Sequence, residues 1–269
     1  DDDEVDLALA HLDDCGATAI ERTPDGARLF FASAQERDLA LAMTPALAGV
    51  RATPVLVPDE GWAERSQASI TAVRVGRIVV TPPWITPSVG AGDITIVIQP
   101  SMGFGTGHHA STRLCLALLQ QLHLDGQSVL DVGTGSGVLA IAARRLGART
   151  AMGIDYDPDA LIAAEENVGL NHVAAAVSMR PVDIAREPAT GGYNVVTANL
   201  TGGMLGKHAS RLVAELPNGG TLIVSGFQTA ERDEVVRAIE AAGARFLRDT
   251  VEDDWVAGLF TIPTASRAR

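Results

Sequence analysis

Residues 128–144, "SVLDVGTGSGVLAIAAR", contain the clearest structural motif of the chain. It opens with the largely apolar "SVLDV", typical of a buried parallel strand, and closes with the strong helix formers "VLAIAAR". Gly133, Gly135 and Gly137 stand directly between the two, where the backbone can turn sharply and lie close to a ligand. The stretch therefore predicts a strand–turn–helix unit with a ligand site at the turn.

The same alternation of strands and amphipathic helices continues on both sides, from residue 94 to the C-terminus. This alternation predicts an α/β fold, with a doubly wound, mostly parallel sheet covered by helices on both faces. The last two predicted strands follow each other closely, so we expect them to be antiparallel. The predicted strands are "DITIVIQ", "SVLDV", "TAMGIDY", "AVSMRP", "YNVVTANL", "GTLIVSG", "RFLRDTVED" and "WVAGLFTI".

Residues 1–58 have a different pattern, with shorter elements. Strands are predicted at "TAIER", "ARLFFA" and "RATPVLV", and helices at "VDLALAHL" and "AQERDLALAMTPAL". This order predicts a small α+β domain of the ferredoxin-like kind. Residues 59–93, rich in Pro, Gly and Trp, are predicted to be a linker to a catalytic domain over residues 94–269.

The charge is concentrated at the front of the chain. The net charge is −12, and the first 60 residues hold 13 acidic and 4 basic side chains. An acidic surface repels phosphate backbones, which argues against direct nucleic-acid binding and favours a basic protein partner, although acidity also serves solubility alone. No apolar run is long enough to span a membrane and the start is acidic, so we expect a cytoplasmic protein without a membrane contact.

The residues around the glycine turn restrict the ligand. A dinucleotide fingerprint wants a third glycine where the chain has Val138, and Asp131 just before the turn would repel a pyrophosphate. The same carboxylate suits a ligand with an ammonium and a sulfonium, namely S-adenosylmethionine. Asp155 ends the next predicted strand, where a carboxylate can accept hydrogen bonds from both ribose hydroxyls. An NAD-dependent oxidoreductase is the alternative that these residues oppose.

The fourth predicted strand ends in "TANLTGGM", which bears on the methyl acceptor. Asn199 is followed by neither Pro-Pro nor an aromatic residue, so a planar base or amide nitrogen is disfavoured. An sp3 amine fits better, since the Asn199 carbonyl oxygen could orient it, with in-line transfer needing alignment more than a strong base. The structural alternative is that Asn199 only caps the following helix.

Several of these stretches together resemble the PrmA family, the methyltransferases of ribosomal large-subunit protein eleven. The resemblance covers about two thirds of the chain and is carried by "VGRIVVTPPW", "IQPSMGFGTGHHASTRLCL", "VLDVGTGSGVLAIAA", "GIDYDPDALIAAEENVGLN", "VVTANL" and "GGTLIVSG". It implies a class I, Rossmann-like, S-adenosylmethionine-dependent enzyme with an N-terminal substrate-recognition domain. It also implies methylation, up to trimethylation, of lysine ε-amines and an N-terminal α-amine.

Carried over by position, the resemblance and the glycine turn give one set of candidate site residues. We expect catalytic roles for Asn199 and His109, and we predict no metal. The predicted cofactor contacts are Phe104, Thr112, Asp131, Gly133, Gly135, Asp155, Asn199 and Leu200. The segment "GFGTGHHAST", residues 103–112, is interpreted as a flexible cover whose His109 forms a polar wall of the pocket.

Two departures from the family leave the substrate open. The family commonly has "DPGMAFGTG" where this chain has "QPSMGFGTG", and residues 1–58 match only in pattern. The alternatives are therefore methylation of another protein's lysine or of a small amine, or an inactive cofactor-binding assembly factor. We expect a monomer.

Overall fold

The computed structural model describes residues 17–23, 26–31, 33–43, 52–55, 70–100, 107–189 and 191–264. The chain divides into two compact units, Asp1–Trp62 and Ala63–Arg269. The predicted helix "VDLALAHL" lies outside the described residues.

The smaller unit contains a hairpin followed by a helix. Strands β1 (Ala17–Thr23) and β2 (Gly26–Phe31) pair antiparallel, and helix α1 follows at Ala34–Met43. A reciprocal cap starts α1, because the Glu36 N–H donates to Ser33 Oγ at 3.2 Å and the Ser33 N–H donates to Glu36 Oε2 at 3.0 Å. These elements confirm the predicted strands "TAIER" and "ARLFFA" and the helix that begins at "AQERD".

The predicted strand "RATPVLV" is wrong where the structure describes it. Residues 52–55 are exposed and form no strand. The physical reason is Pro54, which has no N–H to donate to a ladder and so does not sit in the interior of a sheet. The rest of this stretch lies outside the described residues.

The larger unit begins with a small sheet inside the predicted linker. Strands β3 (Val73–Val75) and β4 (Ile78–Thr81) form an antiparallel hairpin, and β5 (Ile94–Val97) pairs parallel to β4. Every residue of β4 is buried. Residues 73–81, inside the predicted linker, therefore form part of the folded larger unit. β5 confirms the predicted strand "DITIVIQ" but belongs to this small sheet instead of the main one.

The main sheet has seven strands, which are β6 (Ser128–Val132), β7 (Thr150–Asp155), β8 (Val177–Pro181), β9 (Val195–Asn199), β10 (Thr221–Gln228), β11 (Arg245–Glu252) and β12 (Trp255–Thr261). Their order in the sheet is β11-β12-β10-β9-β6-β7-β8. The first five in chain order are mutually parallel. β12 pairs antiparallel with β11, as predicted, and also with β10.

Helices cover both faces of this sheet. Successive residues of β6 show this, since Val129 belongs to one buried cluster and Leu130 to the other, as strand alternation requires. The helices are α2 (Ala110–Leu119), α3 (Val138–Arg145), α4 (Pro158–Leu170), α5 (Gly202–Ala214) and α6 (Arg232–Ala241). The first cluster contains residues of α2, α3 and α4, and the second contains residues of α5 and α6.

This arrangement is an α/β fold with a mixed seven-stranded sheet, and it confirms the doubly wound prediction for the larger unit. Among the described residues, no helix is both long and apolar enough to cross a membrane.

Candidate cofactor and acceptor site

The candidate site lies where the carboxyl ends of β6, β7 and β9 meet. β6 is hydrogen-bonded to β7 on one side and to β9 on the other, so the chain leaves it in one direction and later returns on its opposite side. A crevice opens at such a point of an α/β sheet, outside the carboxyl ends of the strands. The glycine turn, Asp155 and Asn199 all follow or end one of these three strands.

The glycine turn joins β6 to α3 in a left-handed conformation that suits glycine. Gly133, Gly135 and Gly137 have φ values of 67°, 51° and 80°. The Gly133 N–H donates to the carbonyl of Ile154 at 2.9 Å, and the Gly137 N–H donates to the carbonyl of Thr134 at 2.8 Å. These bonds fold the turn tightly and fix it to β7.

Leu200 closes over this turn from the end of β9. A Cβ added to Gly133 would lie 2.4 Å from Leu200 Cδ2, so a side chain there would displace Leu200 in addition to straining the positive φ. The backbone at residue 133 is thus the surface that Leu200 covers. The structure brings these two predicted site residues together although they lie far apart in the sequence.

Asp155 holds the turn from the end of β7. Its Oδ2 accepts the Gly135 N–H at 3.0 Å, and its Oδ1 accepts the Asp157 N–H at 3.1 Å. Each carboxylate oxygen can accept two hydrogen bonds, so each keeps capacity for one further donor. A pair of ribose hydroxyls has the donors that this carboxylate can still accept.

Asp131 lies beneath the turn, with 1% of its surface exposed. Its Oδ2 accepts from the Thr134 hydroxyl and its Oδ1 from the Thr197 hydroxyl, both at 2.7 Å. Burial raises the pKa of this carboxyl to about 6, against the opposing effect of the two hydroxyl bonds. The structure therefore places this charge under the turn, bonded to hydroxyls, and not on the surface of the crevice.

Asn199 and Thr112 meet at the edge of the crevice. Asn199 Nδ2 lies 3.3 Å from Thr112 Oγ1, which joins the end of β9 to the first turn of α2. The residue that precedes α5 as its N-cap is Thr201, so the Asn199 side chain does not cap that helix. The capping alternative for Asn199 is thereby removed.

His109 lies directly before α2, three residues before Thr112. It is the N-cap of α2, where its Nδ1 lies 2.7 Å from Ser111 Oγ and accepts the Ser111 N–H at 3.3 Å. Its ring also meets the ring of Trp255 edge to face, with centroids 4.4 Å apart. One ring nitrogen and part of the ring surface are therefore committed to contacts within the protein.

Residues 103–106 of the predicted cover, which include Phe104, lie outside the described residues. In the described part of the chain, no group of three or more His, Cys, Asp or Glu side chains could hold a metal ion.

Sequence reasoning missed the hydroxyl partners of Asp131 and two residues of α4. Thr197 lies 66 residues from Asp131, and nothing in the sequence links the two. Asn167 and Asn171 did carry a sequence signal, because they are polar residues four positions apart on an otherwise apolar helix face. In the structure, both side chains are almost completely buried. Tyr156, next to Asp155, was also missed and is 73% exposed at the carboxyl end of β7.

Comparison with known proteins identifies the family. The family model described as ribosomal protein L11 methyltransferase (PrmA) matches residues 28–261. This chain belongs to the ribosomal protein L11 methyltransferase family. It is thus an S-adenosylmethionine-dependent methyltransferase, as the glycine turn, Asp155 and the resemblance together predict.

Similar members of the L11 methyltransferase family come from several bacteria. The chain is 41% identical to the Geobacter sulfurreducens enzyme over 204 residues, which cover 76% of this chain and 67% of the relative. It is 32% identical to the Deinococcus radiodurans enzyme over 277 residues, which cover 97% of this chain and 96% of the relative. The second alignment thus extends over nearly the full length of both proteins.

A solved structure of the same description shares the fold. The ribosomal protein L11 methylase from Lactobacillus delbrueckii subsp. bulgaricus superposes with a TM-score of 0.67 at 23% identity. The match covers 72% of this chain and all of that chain. It confirms the α/β methyltransferase architecture.

Proposed function

We propose that this protein transfers methyl groups from S-adenosylmethionine to lysine ε-amines and the N-terminal α-amine of ribosomal protein L11. Family membership supports the reaction class, and one structural observation carries the acceptor assignment. Asn199 is held by Thr112 beside the glycine turn, with neither Pro-Pro nor an aromatic residue after it. An amide fixed in this way can orient an amine without stacking against a flat ring.

The cofactor residues are assigned by the groups that they offer. Asp155 has hydrogen-bonding capacity for the ribose hydroxyls, and Gly133 and Gly135 offer close backbone approach next to it. Tyr156 adds an exposed ring beside Asp155, suited to packing on a purine face. Thr112 and Leu200 line the route from the turn to Asn199, and Asp131 supports the turn through Thr134 and Thr197.

The acceptor amine must be neutral to attack the methyl group. A lysine amine has a pKa near 10.4, so its deprotonation at pH 7 costs about 4.6 kcal/mol. Desolvation in the crevice and the nearby positive charge of the bound cofactor both lower that pKa. Asn199 then has a positioning task, with its amide oxygen as acceptor for an amine N–H, and no residue needs to act as an obligatory general base.

The smaller unit is assigned to substrate recognition. A hairpin followed by a helix, as in β1, β2 and α1, is compatible with a ferredoxin-like domain. The first 60 residues carry 13 acidic side chains against 4 basic ones, which favours association with a basic ribosomal protein over nucleic acid. We expect a monomer that works in the cytoplasm, where ribosomes are assembled.

The test is methylation of a mixture of possible acceptors. The full-length protein is incubated with labelled S-adenosylmethionine and the ribosomal proteins of a strain lacking the enzyme, and labelled proteins are identified by mass spectrometry. Label on L11 amines is the expected result. Label on a different protein or on a small amine would replace the substrate and keep the chemistry. Binding of S-adenosylmethionine without any transfer would support the inactive assembly factor.

A further inference from the structure

Two buried asparagines, Asn167 of α4 and Asn171 at its C-cap, are hydrogen-bonded to the edge of β5 that faces away from β4. The amides of β5 alternate in direction, as they do in any strand. The Ile98 N–H bonds to the Thr81 carbonyl of β4 at 2.9 Å, so the neighbouring N–H groups of Val97 and Gln99 point away from that sheet. Both of these outward N–H groups end on side chains of α4.

Asn171 pairs with β5 in the way that another strand would. Its Oδ1 accepts the Val97 N–H at 2.9 Å, and its Nδ2 donates to the Val97 carbonyl at 2.6 Å. The same Nδ2 also donates to the Asn167 carbonyl at 2.8 Å, within α4. The hydrogen bonds of its side chain are therefore with α4 and with Val97, and none of them reaches the glycine turn.

Asn167, one turn earlier on α4, makes a different pair of contacts. Its Oδ1 accepts the Gln99 N–H at 2.8 Å, just after β5. Its Nδ2 donates to the Ser136 carbonyl, inside the glycine turn, at 2.9 Å. Its side chain is completely buried, so neither bond exchanges with water. A single amide thus joins the end of β5 to the turn.

We propose that Asn167 is a positioning residue for methyl transfer, which fixes the glycine turn in its cofactor-binding conformation by holding the Ser136 carbonyl. This role rests on the proposed function, since it requires that the turn binds S-adenosylmethionine.

The restraints on the turn show why this bond matters. Consecutive residues of the turn are held by side chains from three different elements. Thr134 bonds to Asp131 of β6, Gly135 bonds to Asp155 of β7, and Ser136 bonds to Asn167 of α4. Gly135 and Gly137, on either side of Ser136, both have left-handed φ values that glycine does not impose by itself. The Asn167 amide therefore adds a side-chain restraint on the carbonyl between them, beside the bond from the Gly137 N–H to the Thr134 carbonyl.

The departure of this chain from the family at Gln99 leaves the bond intact. Asn167 accepts the main-chain N–H of residue 99, so the side chain at that position can change without loss of this contact.

Asn167→Ala and Asn171→Ala form a matched pair that tests the proposal. Both remove a completely or almost completely buried asparagine from the same helix, and both leave two groups of the β5 region or the turn without their partner. We expect both to lower the melting temperature of the full-length protein. Only Asn167→Ala should raise the Kd for S-adenosylmethionine, by about tenfold, as expected for losing a buried hydrogen bond that orders the site. Asn171→Ala should stay within about twofold of the parent protein.

A second variant covers the case in which Asn167→Ala does not fold. Asn167→Asp has nearly the same shape, and its carboxyl can donate to the Ser136 carbonyl only when it is protonated. Its Kd for S-adenosylmethionine should therefore fall as the pH is lowered, relative to the Kd of the parent protein at each pH. A role limited to packing would produce no such dependence.

Calorimetric titration of the parent protein separates the two levels of the proposal. If the parent does not bind S-adenosylmethionine, the proposed function fails. If the parent binds and the two alanine variants weaken binding equally, or Asn167→Asp shows the parent's pH dependence, the role of Asn167 is overturned while the proposed function stands.

Discussion

At the scale of single residues, the site is a set of buried or half-buried polar groups that hold one five-residue turn. Asp155 was predictable because its place is defined by local sequence, at the end of the strand that follows the turn. Thr197 and Asn167 were not predictable as partners, because Thr197 lies 66 residues from Asp131 and Asn167 lies 31 residues from Ser136. Only the folded sheet and the packing of α4 bring these groups together.

Asp155→Ala should weaken cofactor binding. The substitution removes the carboxylate that accepts the Gly135 N–H and that we assign to the ribose hydroxyls. Loss of hydrogen bonds to a charged group costs about 1.5–3 kcal/mol, and we expect a loss of binding free energy of this size. Calorimetric titration with S-adenosylmethionine measures it.

Asp157→Ala is the matched control for Asp155→Ala. Asp157 caps α4 by accepting the Asp159 N–H at 2.9 Å, and only its backbone N–H contacts Asp155. It should lose about 1 kcal/mol of unfolding free energy while binding the cofactor like the parent. Equal affinity in the Asp155 and Asp157 variants would remove Asp155 from the site.

Asp131 should make stability depend on pH between about 4 and 6. Its pKa is raised from 3.8 to about 6 in the folded protein, so in this window the native state holds a proton that the unfolded chain has lost. The contribution of Asp131 to the unfolding free energy is therefore greatest below pH 4, decreases by about 3 kcal/mol as the pH rises to 6, and stays at the lower level above that.

Asp131→Asn isolates this effect because it cannot ionise. A hydroxyl can accept as well as donate a hydrogen bond, so Thr134 and Thr197 can still bond to the amide. Urea unfolding at several pH values should show the variant gaining stability relative to the parent as the pH rises from 4 to 6. Parallel curves for the two proteins over that range would mean that the Asp131 carboxyl is not perturbed by burial.

At the scale of elements, the ends of strands and helices are predicted best where the hydrophobic pattern and the turn residues indicate the same boundary. β6 and the start of α3 were predictable to the residue, because an apolar strand, three glycines and a helical run follow directly on one another. The pairing of β5 with β4 was not predictable, because a strand of four residues gives no sign of which sheet it joins. At "RATPVLV" a strand is predicted from the β-branched residues, but residues 52–55 form none, because Pro54 opposes strand pairing.

The start of α2 supports a prediction about His109. If this residue serves mainly as the N-cap, His109→Ala should lose about 1 kcal/mol of unfolding free energy from the cap, and more from the lost contact with Trp255. His109→Asn supplies a good cap and should recover part of that stability. Both variants should keep methyl-transfer rates near those of the parent at saturating cofactor. A large loss of kcat in both, with stability restored in His109→Asn, would instead establish a chemical role for the imidazole.

At the scale of the whole molecule, the larger unit accounts for the chemistry and the smaller unit for the proposed choice of substrate. The doubly wound sheet places the glycine turn, Asp155 and Asn199 at one edge, and family membership extends over residues 28–261. The smaller unit was predictable only in its hairpin and helix, because a small α+β module carries no motif comparable with "DVGTGSG".

The proposed reaction of the whole molecule is methyl transfer to amines of ribosomal protein L11. Intact mass spectrometry of purified L11 measures this transfer. Unmethylated L11 is incubated with S-adenosylmethionine and the full-length protein, with the Asp155→Ala variant as the control. We predict that L11 gains whole numbers of methyl groups, located by peptide mapping on lysine ε-amines and the N-terminal α-amine, and gains them more slowly with the variant. An unchanged L11 mass, under conditions in which the protein binds S-adenosylmethionine, would contradict the account.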